Sequence, residues 1–391
     1  MISVDQALDA LFALVEPLST EQIGLRAAAG RTLRASASAA RAQPPFAASV
    51  MDGYALSKED AHTDATLEVV GEAAAGHRFA GTVSQGQAVR IFTGAPMPEG
   101  TDHVEIQEDV TVAGDRITLR DPGRPGAYVR PAGGDFAAGA ELPAPRVLSA
   151  ADISLLAAMN VPTVTVARRP EVAIISTGDE LVMPGESPLD DQIIASNGLG
   201  LAAQLSAVGA LPRLLPIARD TAESLQSAFR FARGADLIVT IGGASVGDHD
   251  LVRSVAGQAG MEQAFYKVAM RPGKPLMAGR IAGVPMVGLP GNPVSTLVCG
   301  HVFLVPLIRA MLGQGQAPAA RRTAPLASPV AANGPREHYC RAKLTQDGLH
   351  VFDRQDSSLL TVLAEANALA IRPIGDPARA AGEPIDYLPL A

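Results

Sequence analysis

The chain has 391 residues, of which 47% are hydrophobic and 18% charged, so it is long enough for two or more domains with apolar cores and its composition excludes general disorder. A formal net charge of −8 excludes broad, non-specific nucleic-acid binding, because no excess of Lys and Arg is available to neutralise phosphates. Cys299 and Cys340 are too few for a disulfide framework and lie in no CxxC pattern, which predicts a reducing, cytoplasmic environment.

The first predicted region, residues 1–45, is alanine-rich and reads as helical. Its first helix has Ser3 and Gln6 at capping-box spacing and lacks the basic start of a signal peptide. Residues 46–135 contain short β runs between Gly, Pro and Asp turns, and residues 136–169 look helical again, with Ser149 capping an apolar run. The sequence therefore predicts a β-rich module inserted into an elongated helical domain.

Residues 170–316 are predicted to form an α/β domain. Three short apolar strands, within residues 172–180, 236–250 and 284–295, each run into a polar, glycine-bearing turn. Helical patterns that begin at Asn197 and Asp220 separate the strands, which is the βαβ signature of a parallel sheet. Ligands of such sheets bind outside the carboxyl ends of the strands, so the three turns predict one binding site.

The turn after the middle strand reads GGASVGDHD, residues 242–250. Glycines allow the backbone N–H groups to approach an anion, and the carboxylates of Asp248 and Asp250 suit a hard cation that accompanies it. The pattern predicts a phosphate-plus-metal loop. A plain strand-to-helix turn with a capping aspartate fits the same residues and stays open at this point.

Two further segments of the domain favour anion binding. MRPGKP places Arg271 and Lys274 on either side of a stiff Pro-Gly turn, with Lys267 nearby, and a solvated basic turn is the alternative. GNPVS predicts a helix that begins near Pro293, with the Ser295 hydroxyl close to free N–H groups. The apolar stretch that follows, 294–312, contains a His, a Pro and an Arg and predicts a buried helix rather than a membrane span.

Outside this domain, MDGYA and FTGAP carry Asp52 and Thr93 on loops of the β-rich module, although Asp52 also fits a simple Asx turn. The seven histidines show no zinc-ligand spacing, so no His-based metal site is predicted. No GxSxG, HExxH or Walker A pattern occurs, and nothing indicates covalent nucleophilic catalysis.

Short strands in residues 320–391 predict a small C-terminal β-barrel.

Six segments in this order and spacing resemble the molybdenum-insertion enzymes of molybdenum-cofactor synthesis, the bacterial MoeA proteins and the gephyrin E domain: MDGYA, TGAPMPEGTD, STGDELV, GGASVGDHD, RPGKP and GLPGNPVS. The resemblance implies an α/β multidomain subunit with a three-layer αβα molybdopterin-binding domain. It implies a cytoplasmic homodimer in which the α/β domain of one subunit faces the inserted module of the other. The implied reaction inserts molybdate into the dithiolene of adenylylated molybdopterin, with Mg²⁺ as cofactor and release of AMP.

The resemblance also implies roles for particular residues. Metal and catalytic roles fall on Glu180, Asp220 and Asp250, and further catalytic roles on Lys274 and, from the partner subunit, Asp52 and Thr93. The molybdopterin and molybdate contacts implied are those of Gly178, Asp179, Gly242, Gly243, Ser245, Gly247, Lys267, Arg271, Lys274, Pro290, Asn292, Pro293 and Ser295. The chain departs from the family at Arg271, where Lys is usual, and in QDSSLLTVLAEAN, where Ser357 and Ser358 remain of a longer serine pattern.

Two alternative functions stay open from the sequence. The related molybdopterin adenylyltransferases share the α/β fold and the glycine-rich loop, although the long N-terminal region and the terminal strands disfavour that activity. A non-catalytic molybdopterin-binding scaffold is the other, and the presence of Asp52, Glu180, Asp250 and Lys274 argues against it. Partner proteins implied by the resemblance are the adenylyltransferase that supplies the substrate and the molybdoenzymes that receive the product; nucleic acid and membrane are not expected.

Overall fold

The structure is a computed structural model that describes residues 1–124, 126–243 and 251–390. The chain divides into two compact units. The first unit contains residues 1–21, 30–34 and 166–391, and the second contains residues 22–29 and 35–165. The predicted turn residues Ser245, Gly247, Asp248 and Asp250 lie outside the described residues.

The secondary structure of the described residues is as follows. The helices are α1 Val4–Phe12, α2 Ala150–Ala158, α3 Asn197–Ala207, α4 Ala222–Phe231, α5 Leu251–Gln258, α6 Pro293–Cys299, α7 Val305–Met311 and α8 Leu360–Glu365, with 3₁₀ turns at Leu25–Ala27 and Gln107–Asp109 and a π-helical segment, Gly300–Leu304, between α6 and α7. The strands up to residue 167 are β1 Thr20–Gly24, β2 Thr32–Leu33, β3 Ala37–Ser38, β4 Ala48–Ser49, β5 Gly53–Leu56, β6 Thr66–Ala73, β7 Gln87–Ile91, β8 His103–Ile106, β9 Val110–Ala113, β10 Arg116–Leu119, β11 Val129–Arg130, β12 Glu141–Leu142, β13 Arg146–Val147 and β14 Thr163–Ala167. The later strands are β15 Glu171–Ser176, β16 Leu181–Val182, β17 Ile193–Ile194, β18 Leu211–Leu214, β19 Leu237–Ile241, β20 Glu262–Tyr266, β21 Met270–Arg271, β22 Met277–Ile281, β23 Val284–Leu289, β24 Arg322–Pro325, β25 Glu337–Thr345, β26 Gly348–Val351, β27 Ala368–Arg372 and β28 Pro384–Pro389.

The central sheet of the first unit has the order β18-β15-β19-β23-β22-β20. The first four strands are parallel to their neighbours, and β22 and β20 are antiparallel. Strand β19, LIVTI, is buried along its whole length, as expected for a parallel strand that helices cover on both faces. The predicted α/β sheet is therefore present, and its parallel strands end on the same edge.

Alternate residues of these strands enter two separate apolar cores. On one face, Val172, Ile174 and Val239 pack with α1, α3, α6 and α7. On the other face, Ala173, Ile175 and Ile238 pack with α4 and α5. Because side chains alternate across a strand, this division places helices on both faces and gives three layers, αβα.

The long apolar helical segment Pro293–Met311 lies inside the first core. An 18-residue stretch of it has a mean hydropathy of 1.7 and is 83% buried inside the protein. It is the one segment among the described residues that is long and apolar enough to cross a membrane, and its burial fits a core helix. The prediction of a buried helix for this stretch is confirmed.

The C-terminal strands form a sheet with the order β21-β25-β27-β28-β24, and β26 pairs with β25. Leu326, the residue after β24, forms a β-bridge with Leu349 of β26. Because β26 also pairs with β25, the strands β25, β27, β28, β24 and β26 form a closed ring of paired neighbours. Strand β21 comes from the RPGKP segment of the α/β region, and Arg271 pairs with His338 of β25. The basic turn is therefore fixed to the C-terminal sheet.

The second unit contains a six-stranded sheet with the order β8-β5-β7-β6-β10-β9, formed by residues 53–119. Gly53 in β5 lies directly against the Glu105 carbonyl, and a side chain at that position would overlap it. This close approach explains the glycine that follows Asp52 in MDGYA. Strands β5 to β10 lie within the region for which the sequence predicts β structure.

Residues 1–45 and 136–169 contain less helix than their alanine content predicts. Helices α1 and α2 both begin with the predicted capping boxes, at Ser3 and Ser149. The alanine-rich stretch after residue 34 instead forms β3, which pairs with β12. Pairing with a distant strand overrides the helix propensity of alanine, because short helices gain most of their stability from packing.

Candidate functional site

A cavity of about 1020 Å³ lies at the carboxyl ends of the parallel strands; we call it the strand-end cavity. Its polar and turn-forming lining residues are Ser176, Thr177, Gly178, Glu180, Ser196, Asn197, Asp220, Gly242, Gly243, Ser254, Pro275, Pro290, Gly291, Asn292, Pro293 and Ser358. All three predicted strand-end turns contribute to this wall. The cavity is therefore where the sheet topology predicts a ligand.

Backbone hydrogen bonds join the ends of the three strands. Thr177 N donates to the Ile241 carbonyl at 2.9 Å, and Gly242 N donates to the Leu289 carbonyl at 3.1 Å. Gly242 has φ of +95°, and a Cβ there would lie 2.7 Å from the Thr177 carbonyl oxygen. Only glycine permits both this conformation and this approach, so Gly242 is what allows β19 to turn away beside β15.

The third turn is held by side chains from two helices. Asn197 Nδ2 at the start of α3 donates to the Gly291 carbonyl at 2.7 Å. Thr296 Oγ1 donates to the Pro290 carbonyl at 2.8 Å and to the Asn292 carbonyl at 3.1 Å. Helix α6 begins at Pro293 as predicted, whereas Ser295 is 3% exposed and is not part of the described cavity wall.

Two of the predicted metal ligands, Glu180 and Asp220, line the cavity. Asp179 does not; its Oδ1 accepts a hydrogen bond of 3.1 Å from Asp220 N. Asp220 precedes the cap of α4 rather than starting the helix, since the Oγ1 of Thr221 accepts from Ser224 N. The third predicted ligand, Asp250, lies outside the described residues.

The predicted cations are not part of the described cavity wall. Pro275 reaches the wall, but Lys267, Arg271 and Lys274 do not. The Nζ of Lys267 lies 4.6 Å from the centre of the Tyr266 ring, within cation–π range.

The Arg271 turn adjoins a cationic cluster of the C-terminal sheet. Burial, and then the positive charges of Arg271 and Arg336, lower the pKa of His338 to about 4. His338 is therefore neutral at physiological pH. The positive charge where the basic turn meets the C-terminal sheet comes from the arginines, including Arg271, and not from His338.

Ser358, a residue without a role in the sequence prediction, lines the cavity from the C-terminal part of the chain. Asp356 Oδ1 accepts from Ser358 N at 2.8 Å and from Ser358 Oγ at 2.6 Å. The side-chain bond first, and the backbone bond second, hold the pKa of Asp356 below its ordinary value. Val294 N of α6 donates to the Ser357 carbonyl at 3.0 Å, which fixes this segment to the third turn.

Arg341 anchors the same segment. Its side chain is 1% exposed, and its Nη1 donates to the Leu359 carbonyl at 3.2 Å. Its backbone N donates to Gln355 Oε1 at 3.0 Å. Because Ser358 is far from the third turn along the chain, no local sequence signal could have placed it at the cavity.

In the second unit, Asp52 and Thr93 come together. Asp52 Oδ1 accepts from Thr93 N at 2.8 Å and from Thr93 Oγ1 at 2.7 Å. The backbone bond first, and then the side-chain bond, hold the pKa of Asp52 below its ordinary value. Arg90 lies between two rings, 4.9 Å from the centre of Tyr54 and 5.1 Å from that of Phe92. Asp52 is therefore an ionised, oriented carboxylate on a loop.

Metal-binding capacity within the described residues is limited. No three His, Cys, Asp or Glu side chains of the described chain form a preassembled metal cluster. Two carboxylates, those of Glu180 and Asp220, are enough for Mg²⁺, because proteins often hold this ion through one or two carboxylates together with substrate phosphates. The donor set therefore fits a cation that arrives with a phosphorylated ligand.

Comparison with known proteins identifies the family. Three family models match in order: the MoeA N-terminal region (domains I and II) at residues 2–160, a probable molybdopterin binding domain at 173–310, and the MoeA C-terminal region (domain IV) at 323–390.

Relatives and solved structures agree with these matches. A molybdopterin molybdenumtransferase of Nostoc sp. is 37% identical over all of this chain and 94% of the relative. One of Haemophilus influenzae is 36% identical over 81% of this chain and 79% of the relative. The crystal structure of a molybdopterin biosynthesis MoeA protein from Pyrococcus horikosii superimposes with a TM-score of 0.86 at 29% identity, covering 100% of this chain and 99% of that one. The chain therefore belongs to the MoeA family of molybdopterin molybdenumtransferases.

Proposed function

We propose that this protein inserts molybdate into the dithiolene of adenylylated molybdopterin and releases AMP. The observation that carries the proposal is the wall of the strand-end cavity, in which Glu180 and Asp220 lie together with glycines of all three strand-end turns. Glycine turns admit a phosphate close to backbone N–H groups, and the carboxylates provide oxygen ligands for a divalent cation beside it. A cavity of this size also accommodates a substrate larger than a phosphate.

Glu180 and Asp220 would hold Mg²⁺ at the phosphoanhydride, and Asp250, outside the described residues, completes the set implied by the family. Bound Mg²⁺ supplies Lewis-acid stabilisation of the phosphate oxygens. The protein's own contribution is orientation, because no side chain in the described wall is placed as an obvious proton relay. Magnesium dependence of the reaction is therefore part of the proposal.

Molybdate would bind where the basic turn meets the cavity wall, at Pro275. Arg271 and Lys274 carry the charge that a tetrahedral dianion requires, and Pro275 joins their turn to the cavity wall. Arg271 replaces the point charge of lysine by a planar fork, which changes the geometry of the contact but not its sign.

The proposal includes a homodimer and a cytoplasmic location. Asp52 and Thr93 belong to a compact unit different from the one that holds the strand-end cavity. By the family resemblance, their oriented carboxylate–hydroxyl pair would serve the cavity of a partner subunit. Two subunits would then form each complete site.

The activity is tested with purified protein, Mg²⁺ and adenylylated molybdopterin, with and without molybdate, by chromatographic measurement of AMP. AMP release that requires molybdate is expected. AMP release that is the same without molybdate contradicts the proposal. So does formation of adenylylated molybdopterin from ATP, which indicates the adenylyltransferase activity, or tight binding with no turnover, which indicates a scaffold.

A further inference from the structure

The loop that carries Glu180 is held by one arginine from the segment before α4. The Nη1 of Arg219 lies 3.3 Å from the Gly178 carbonyl oxygen, 3.0 Å from that of Asp179 and 3.0 Å from that of Leu181. Three carbonyls within four residues thus converge on one guanidinium nitrogen. Carbonyl oxygens that point to the same place repel one another, so this loop conformation depends on a positive donor at their centre.

Two further hydrogen bonds fix the position of Asp220. Its backbone N donates to Asp179 Oδ1 at 3.1 Å, and the backbone N of Arg219 donates to Ser224 Oγ at 2.9 Å. Asp220 is therefore held by its own backbone N and by the anchored Arg219 that precedes it. Residues 178–181 and 219–220 form one bonded assembly, which we call the arginine clamp.

The Glu180 side chain is constrained within the clamp as well. Gly178 has φ of +148°, and a Cβ on it would overlap both carboxylate oxygens of Glu180. The carboxylate thus lies directly over the backbone whose carbonyl Arg219 binds. Glu180 and Asp220 line the cavity, whereas Arg219 and Asp179 are outside the described wall.

We propose that Arg219 is a positioning residue, which sets the separation of the Glu180 and Asp220 carboxylates so that they hold a divalent cation together. This inference rests on the proposed function of the cavity and assigns Asp179 to the support of Asp220 instead of to ligand contact. The role requires a positively charged donor at the point where the three carbonyls meet, and an alanine at position 219 supplies none.

The decisive experiment measures Mn²⁺ binding without turnover. Full-length protein is saturated with adenylylated molybdopterin in the absence of molybdate, and free Mn²⁺ is followed by electron paramagnetic resonance. Loss of groups that orient metal ligands typically weakens metal binding about 10-fold to 100-fold, so Arg219→Ala is expected to raise the Kd for Mn²⁺ by at least ~10-fold. Ser224→Ala, which removes the acceptor of the Arg219 backbone N, should shift the Kd in the same direction.

Arg213→Ala is the matched control. Arg213 is also exposed and also donates to two backbone carbonyls, those of Phe231 at 2.8 Å and Arg233 at 3.3 Å, but it is not in the described cavity wall. Its Kd for Mn²⁺ should equal that of the wild type. An unchanged Kd in Arg219→Ala, or an equal loss in Arg213→Ala, would overturn the positioning role. If the wild type itself binds no adenylylated molybdopterin, the proposed function fails and not the clamp alone.

Discussion

Thr93 donates two hydrogen bonds to a single carboxylate oxygen of Asp52, one from its backbone N and one from its hydroxyl. The two residues are 41 positions apart in the sequence and occupy separate loops of the second unit. Their bonds stabilise the ionised form of Asp52 and lower its pKa. Asp52 is thus held as an anion in a fixed orientation.

This relationship predicts the acid side of the pH–activity profile. Thr93→Val removes the hydroxyl donor, so the pKa of Asp52 should rise towards its ordinary value. A carboxylate with a lowered pKa stays ionised down to that pKa, and activity that needs the anion is lost as the pH falls through it. Thr93→Val should therefore move the acid limb of kcat/KM to higher pH, while Thr93→Ser should leave the limb in place. Coincident limbs in all three proteins would show that Asp52 does not control the profile.

The conformation of Gly242 predicts a severe effect of a single methyl group. Gly242→Ala places a Cβ 2.7 Å from the Thr177 carbonyl at φ of +95°. We expect a loss of about 1–3 kcal/mol in the free energy of unfolding, measured by denaturant titration, with loss of adenylylated-molybdopterin binding.

Gly257→Ala in α5 is the control for Gly242→Ala, because a Cβ there meets nothing within 4 Å. It should stabilise the protein by roughly 0.5–1 kcal/mol through the better helix propensity of alanine. Equal stability changes in the two variants would show that the strand-end turn is not constrained.

A buried ion pair predicts the stability of the C-terminal sheet. Arg372 and Asp376 are 5% and 4% exposed, and Arg379 also binds Asp376. Burial alone raises the pKa of Asp376, but hydrogen bonds from Arg379 and Arg372 outweigh it and leave the pKa lowered. Asp376→Ala leaves a buried guanidinium unpaired and should cost about 3–5 kcal/mol at neutral pH.

The pH dependence follows from the direction of that shift. A lowered pKa contributes stability above the ordinary pKa of aspartate, and this stability is lost as the pH falls through the lowered value. The free energies of unfolding of Asp376→Ala and the wild type should therefore become more similar as the pH is lowered. As control, Arg321→Ala removes a more exposed pair with Glu337 and should cost less than ~1 kcal/mol. Denaturation curves at several pH values decide the matter, and a constant difference between Asp376→Ala and wild type would contradict it.

The position of Ser358 predicts that the C-terminal segment takes part in substrate binding. Ser358→Ala removes a hydroxyl from the cavity wall, and one neutral hydrogen bond is worth about 0.5–1.5 kcal/mol, so KM for adenylylated molybdopterin should rise several-fold with kcat little changed. Ser328→Ala, at a half-buried position outside the described cavity wall, is the control and should leave KM unchanged. A KM that is unaltered by Ser358→Ala would remove Ser358 from the binding surface.

The sequence predicted the features that depend on local patterns. The strand before Gly242, the helix that begins at Pro293 and the capping boxes at Ser3 and Ser149 follow from apolar periodicity and capping chemistry over a few residues. The convergence of three turns followed from the edge rule for parallel sheets. These are short-range signals that topology then combines.

What the sequence did not predict depends on contacts between distant segments. Arg219 had no motif, because its three acceptors are backbone carbonyls that any sequence would supply. Ser358 reaches the cavity through a bond between Ser357 and α6. Arg271 is held at β25 by strand pairing, which a charge pattern does not encode.

The central claim is tested most directly by measuring, in one reaction, the molybdenum incorporated into the pterin and the AMP released. The proposed reaction predicts equal amounts of incorporated molybdenum and released AMP. Neither product should form without molybdate, and Glu180→Gln should reduce both by the same factor. AMP released in excess over incorporated molybdenum, or molybdenum incorporated with no AMP, would contradict it.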